Sequence, residues 1–329
     1  MFNEICLFAF GLILLIKGGD WFVDGASNIA KRFHLPELLI GATVVSIGTT
    51  LPEVMVSSIA AAGGSGGIAY GNALGSIICN TALIAAITVS VKPSTADKKT
   101  MILPVAFFFG SAAIYTVCAA VLGEFPRYIG IILLAIFVVY MVLTVLQMKK
   151  SPATPELHES AQEEEALEGS LLKDILILVG GAAIIALGAI LVKDNAEIIA
   201  TKIGIPSSVI GITIVAIGTS LPELVTAITS LLKGHGALSL GNIIGANLFN
   251  LVLVSGAAIT IAPFALPESI ADFGGINSSL IIDIPVAIAV MLILTVPTMI
   301  RGKLSRVQGI SLLAIYAAFS ASQFILAMV

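Results

Sequence analysis

Charge is what this sequence has least of. Of its 329 residues only 11% are Asp, Glu, Lys or Arg, against roughly 25% in soluble domains. Histidine and cysteine are as sparse, with three of each, and tryptophan occurs once. Cys6, Cys79 and Cys118 stand singly in apolar runs with no CxxC pair. That argues against a disulfide framework or a thiolate metal site, and they read as small core or lipid-phase residues. His34, His158 and His235 fall in loops and read as solvated. No basic cluster points to nucleic acid. No Ser/His/Asp or HExxH arrangement supports hydrolysis, so the chain is expected to be no enzyme and to need no cofactor. The N-terminus has no basic n-region, its first cation being Lys17, and no small-residue cleavage site follows. It reads as a retained first helix rather than a signal peptide.

Apolar residues, by contrast, make up 58% of the chain, and the mean hydropathy is +1.09. Runs long enough to cross a bilayer recur throughout. Ten spans are expected near 3–31, 36–62, 67–91, 101–122, 127–148, 171–201, 206–231, 237–261, 279–300 and 306–327. The first and sixth are long enough to be strongly tilted. One clear break, 149–170, holds Lys149, Lys150, two prolines and six glutamates and reads as a solvated acidic linker. It divides the chain into 1–148, the linker 149–170, and 171–329. A shorter connection, 262–278, is expected at the opposite surface.

The halves repeat. Placing 41–80 on 211–250 at a constant offset of 170 gives 15 identities in 40 positions without a gap. They include Gly41/Gly211, Pro52/Pro222, Glu53/Glu223, Gly71/Gly241, Asn72/Asn242 and Asn80/Asn250. Five spans per half is an odd number, so the second half enters the membrane upside down. The expected fold is therefore an all-α polytopic membrane protein, ten transmembrane helices arranged as two inverted five-helix repeats. Interrupted helices meeting at the midplane of such repeats are the mark of transporters. Twelve basic residues, from Lys31 and Arg32 to Arg301, Lys303 and Arg306, collect on one face. The positive-inside rule then places the 149–170 loop in the cytoplasm and both termini outside.

The chemistry gathers in Gly48-Thr49-Thr50-Leu51-Pro52-Glu53 and its echo Gly218-Thr219-Ser220-Leu221-Pro222-Glu223. A carboxylate inside an apolar span is costly and marks a functional site by default. Thr49 and Thr50 precede Glu53 by four and three residues, which puts all three on one helix face. Pro52 cannot donate to the carbonyl of Gly48, and a kink there would free carbonyls for a cation. Ser76 and Asn80 follow one turn apart, beside Gly75, and Gly71 and Gly75 would let helices approach closely. Asn250 matches Asn80, with Ala246 in the place of Ser76. The assembled set is all oxygen, which suits a hard cation such as Ca2+ and argues against zinc or copper. Two carboxylates match one divalent ion, and monovalent ions or protons could equally neutralise them. For Thr43, Thr213, Ser57, Asn72 and Asn242, packing or bonds back to the helix explain the residue at least as well as a role in binding. Asp24 and Asp194 read as pairing or capping near an interface.

The doubled G-T-[ST]-L-P-E, within G-N-x-x-G-[SA] repeats, resembles the paired alpha repeats of the cation/Ca2+ exchanger superfamily, in its sodium/calcium exchanger branch. The likeness is greatest to that branch's bacterial inner-membrane antiporters, and it covers essentially the whole chain. The resemblance implies a monomeric inner-membrane antiporter that exchanges Na+ for Ca2+ within membrane lipid, the long first and sixth helices moving to alternate access. It implies ligands at Thr49, Thr50, Glu53, Ser76, Asn80, Thr219, Ser220, Glu223 and Asn250, and backbone carbonyls at Ser46 and Ala216. Many sodium/calcium exchangers carry aspartate at the place of Asn250 and serine at the place of Ala246. The missing charge argues against potassium coupling. It leaves Ca2+/H+ exchange through the same two glutamates as the alternative.

Overall fold

Long runs of Leu, Ile, Val and Ala offer the backbone no side-chain partners, so in an apolar setting each segment satisfies its own N–H and C=O groups by coiling into helix. The computed structural model describes residues 2–150, 170–203, 216–267 and 274–326. In chain order the helices are α1 (Phe2–Arg32), α2 (Glu37–Ile40), α3 (Ser46–Ala62), α4 (Gly66–Cys79), α5 (Ala86–Val91), α6 (Lys98–Val117), α7 (Arg127–Lys150) and α8 (Leu171–Lys202). There follow α9 (Ala216–Thr219), α10 (Leu221–Leu232), α11 (Gly236–Phe249), α12 (Ser255–Ile261), α13 (Ile284–Arg301) and α14 (Arg306–Leu326). Single π-helical turns interrupt the spans at Gly41–Val45, Asn80–Ala85, Cys118–Leu122, Asn250–Val254 and Ser279–Asp283.

Among the described residues, eight segments are long and apolar enough to cross a membrane: Phe2–Arg32, Glu37–Ala62, Gly66–Val91, Lys98–Leu122, Arg127–Lys149, Leu171–Ala196, Gly236–Ile261 and Ser279–Arg301. The expected seventh span lies partly outside the described residues, and its described part is broken at Ser220 into α9 and the 12-residue α10. The expected tenth is α14, a helix of 21 residues that does not count among the eight. The acidic linker 151–169 lies outside the described residues. Large exposed side chains are apolar, among them Phe10, Ile13 and Ile16 on α1 and Ile131, Val138 and Val142 on α7, as a hydrocarbon environment requires.

The chain forms two compact units, one of residues 1–49 and 142–242, the other of 50–141 and 243–329. Each draws on both sequence halves. In the first unit α1 and α8, repeat mates, run antiparallel along their lengths. Small residues make this possible: a Cβ on Gly25 would lie 2.6 Å from the Leu178 nitrogen, and one on Gly181 would lie 2.5 Å from the Phe22 nitrogen. Close backbone approach through glycine is the usual glue between membrane helices, where water provides no hydrophobic drive. Both ends are clamped, by Arg32 Nε on Asp174 Oδ2 at 2.9 Å and by Lys202 Nζ on Glu4 Oε1 at 2.7 Å. Asp174 is buried, so removing its cation leaves an uncompensated charge. Arg32→Met is expected to cost about 3 kcal/mol, read as a lowered melting temperature of the purified protein. Adding Asp174→Leu should recover most of that loss.

In the second unit the halves are clasped crosswise. Glu124–Phe125 (β1) pairs antiparallel with Phe264–Ala265 (β2), while Thr95 bridges Lys303. Thr95 is the repeat mate of Ala265, so the connection after the third span of each half pairs with the connection before the fifth span of the other. Leu266 N–H reaches Gly123 O at 2.8 Å and Ala96 N–H reaches Gly302 O at 3.0 Å. Gly123 and Gly302 both hold the left-handed conformation, with φ of 66° and 68°. The same exchange governs the helix faces. Gly130 of α7 lies against Gly256 and Thr260, and Gly309 of α14 lies against Ala86 and Ser90. These are matching positions, at an offset of 170 in the third spans and 179 in the fifth.

Candidate functional site

The two G-T-[ST]-L-P-E motifs fold differently. In the first, α3 runs through Pro52 without a break, and its irregularity comes earlier, at the π turn Gly41–Val45. Proline still removes the N–H that would meet the Gly48 carbonyl. In the second, the helix stops at Ser220 (φ −92°, ψ 10°) and restarts at Leu221, with Pro222 in the first turn of α10. There a missing N–H costs nothing. Glu223 consequently lies in the first turn of a helix, where the aligned peptide dipoles favour a carboxylate, whereas Glu53 lies mid-helix.

In the first unit, Ser46 Oγ donates to Gly41 O at 2.8 Å and lies 3.0 Å from Asn242 O. Asn242 Oδ1 is 3.3 Å from both the Ser46 and Thr49 hydroxyls. The Thr49 hydroxyl also faces the Glu223 carboxylate, so one motif's threonine and the other motif's glutamate are neighbours. Glu223 is fully buried, and neither of its oxygens closes a hydrogen bond of good geometry among the described residues. The Ser220 hydroxyl is likewise buried and unpartnered there. Thr219 is half-buried, and Ala216 opens α9.

The second unit holds Thr50, Glu53, Ser76, Asn80 and Asn250, all buried. The Thr50 hydroxyl and both polar atoms of Asn80 and of Asn250 have no hydrogen-bond partner among the described residues. Each such orphan costs about 1–3 kcal/mol when left unmet, so these atoms stand ready for a ligand. Asn80 and Asn250 each begin a π turn, a feature frequent at functional sites because it redirects carbonyls out of the helical ladder. Ser255 Oγ closes back on Asn250 O at 3.0 Å, as Ser46 does on Gly41.

Some sequence expectations change here. Asn72 and Asn242 are not equivalent. Asn72 Nδ2 donates to Ser57 Oγ at 2.9 Å and approaches Glu53 O at 3.4 Å, bracing the glutamate's own turn. Asn242 has Ala227 where Asn72 has Ser57, so its Nδ2 is left without a partner among the described residues while its oxygen lies within reach of the Ser46 and Thr49 hydroxyls. Thr43 bonds back to Leu39 O at 2.7 Å, a packing role. Thr213 lies outside the described residues. Gly71 and Gly75 meet no described atom within 4 Å of an added Cβ, so the close approach expected there falls instead to Gly41 and Gly241. Asp24 pairs with Lys233 Nζ at 2.7 Å. His235 is not solvated, since its Nδ1 lies 2.7 Å from Glu37 Oε1 and both side chains are largely covered.

Other polar groups went unread in the sequence. Thr226 and Ser230 lie three and seven residues beyond Glu223, fully buried and with unpartnered hydroxyls among the described residues. The helical spacing from Glu223 could have found them. Asp283 is a further acid within a span, accepting from Ser279 Oγ and Gln323 Nε2, both at 3.0 Å. Its place five residues into an apolar run was the available signal. Asn247, one turn before Asn250, donates to Thr81 Oγ1 at 2.6 Å, and nothing in the repeat points to it, because its mate is Ile77.

Comparison with known proteins identifies the family. The model of the family described as sodium/calcium exchanger protein matches residues 3–146 and 173–325. The inner membrane protein YrbG of Escherichia coli is 37% identical over 269 residues, covering 80% of this chain and 81% of that one. The sodium/calcium exchanger MaX1 of Methanosarcina acetivorans is 31% identical over 341 residues, covering 94% and 95%. A solved structure of the sodium-calcium exchanger NCX_Mj superposes with a TM-score of 0.78 at 30% identity, covering 97% of this chain and 98% of that one. Matched along both of its halves, this chain belongs to the sodium/calcium exchanger family.

Proposed function

We propose that the chain is a secondary antiporter that exports Ca2+ across the cytoplasmic membrane in exchange for Na+, by alternating access to one shared cation site. The observation that carries this reading is the pair of buried glutamates, Glu53 and Glu223, on segments that also carry buried hydroxyls, Thr50 and Ser220, without hydrogen-bond partners among the described residues. The Thr49–Glu223 contact supports a site built from both motifs. In this reading Ca2+ is held between the two carboxylates. Thr49, Thr50, Thr219, Ser220 and Ser76 complete its shell, with the Ser46 and Ala216 carbonyls. Na+ uses overlapping positions that include Asn80 and Asn250. The antiparallel α1–α8 pair and the crosswise clasps support inverted repeats of five spans each. The long pair α1–α8 is the element proposed to move. The basic residues place the 149–170 loop in the cytoplasm and both termini outside, and the chain works as a monomer.

Ca2+/H+ exchange is the second reading, favoured by one observation: Asn250 brings no charge to the site. Two buried carboxylates can also be neutralised by protons. Radiolabelled Ca2+ uptake into proteoliposomes, driven by an outward Na+ gradient and separately by a pH gradient, decides between the two. Uptake is expected with the Na+ gradient, reversing when that gradient reverses. Uptake driven only by the pH gradient would overturn the sodium assignment.

A further inference from the structure

The amide of Asn247 is fixed in a way that its neighbours' amides are not. Its Nδ2 lies 2.6 Å from Thr81 Oγ1 and 3.1 Å from Met291 Sδ, and the Thr81 hydroxyl itself lies 3.5 Å from the same sulfur. The only hydrogen pattern that satisfies all three contacts has the amide N–H groups donating to Thr81 and Met291 while Thr81 O–H donates to the sulfur. The reversed amide would set an oxygen against the thioether, two acceptors without a proton between them. The orientation is therefore determined, and Oδ1 is the atom turned away from the brace. That oxygen is buried, on a residue with no exposed surface, and it has no donor among the described residues.

Its surroundings suggest what it meets. Asn247 and Asn250 are three residues apart on one helical face, and Thr81 follows Asn80 directly. The brace thus ties the third spans of the two halves beside the two asparagines already placed in the site. The second half lacks a hydroxyl at Ala246 where the first has Ser76, and it lacks an acid at Asn250. We propose that Asn247 Oδ1 is a further ligand of the cation site, serving the monovalent ion. Together with Asn80, Asn250 and Thr50 it makes an uncharged oxygen set. Such a set suits Na+ better than Ca2+, which favours carboxylates. The inference rests on the exchanger reading above and deepens it at one residue.

Three variants test it: Asn247→Leu removes the oxygen, Thr81→Val breaks the brace but keeps the oxygen, and Asn247→Asp keeps an oxygen in place. The readouts are radiolabelled Na+ binding to purified protein and the Na+ and Ca2+ concentrations for half-maximal exchange. Loss of one ligand is expected to raise the Na+ requirement about tenfold in Asn247→Leu, with the Ca2+ requirement changed less than about threefold. Thr81→Val, which keeps the Met291 contact at the amide, should shift the Na+ requirement clearly less than Asn247→Leu, and Asn247→Asp should retain Na+ binding. Equal shifts in Asn247→Leu and Thr81→Val would reduce Asn247 to a structural brace. An unchanged Na+ requirement in Asn247→Leu would remove the proposal outright while leaving the antiporter reading intact. Absence of Na+ binding and of Na+-driven flux in the wild type would instead defeat that reading, and the sodium ligand with it.

Discussion

Glu53→Gln and Glu223→Gln are each expected to bring Na+-gradient-driven Ca2+ uptake down to background, a loss of at least about a hundredfold. The magnitude follows from the proposed function, in which each variant removes one of two buried charges facing a divalent ion, worth roughly 3 kcal/mol or more. Glutamine keeps the shape and leaves a neutral group in a buried place, so the fold should survive. Without cations the Glu223→Gln protein should melt no lower than wild type, because a fully buried carboxylate is harder to hold than an amide. Flux and melting measured on the same preparation separate lost binding from lost structure. Full uptake in either variant would sink the shared-site reading. Loss in only one would place the ion beside a single glutamate.

The second large effect concerns two glycines that the repeat equates and the packing does not. A Cβ on Gly241 would overlap the Leu38 carbonyl, and one on Gly41 would overlap the Leu238 carbonyl and lie 2.8 Å from the Asn242 nitrogen. Both obstacles are backbone and cannot rotate aside. Gly241→Ala is therefore expected to destabilise by about 1–3 kcal/mol, and also to disturb the Asn242 contacts to Ser46 and Thr49. Its repeat mate Gly71 faces open space among the described residues. Gly71→Ala should be neutral or stabilising by up to about 1 kcal/mol, since alanine loses less freedom than glycine in a helix. Melting temperatures that shift in opposite directions support the assignment, and shifts of the same sign and size would refute it.

Most of the architecture was legible because a bilayer permits so few solutions. Length of apolar run gave the spans, and the gapless offset of 170 gave the repeat. Gly64 and Gly234, a repeat pair, both close left-handed turns with φ of 79° and 84°, so even a loop geometry could be carried from one half to the other. The glutamates, threonines and asparagines could be named because an oxygen-bearing side chain has little other reason to lie in such a run. What could not be read depends on partners distant in sequence. Whether glycine is packed or open at 71 and 241, and whether asparagine braces or receives at 72 and 242, is decided by neighbours the repeat does not copy: Ser57 against Ala227, Leu38 against open space. Asn247 escaped notice for the same reason, since its partners Thr81 and Met291 belong to other spans. Proline at an identical motif position gives an unbroken helix once and a restart once, so the motif alone does not fix the local backbone.

The crosswise clasp bears on how the protein is made. The face of α7 around Gly130 packs on Gly256 and Thr260, and the face of α5 around Ala86 and Ser90 packs on Gly309. During synthesis the segments from α1 to α7 enter the membrane long before those partners leave the ribosome. Lipid, or a membrane insertase, must cover the waiting surfaces in the interval.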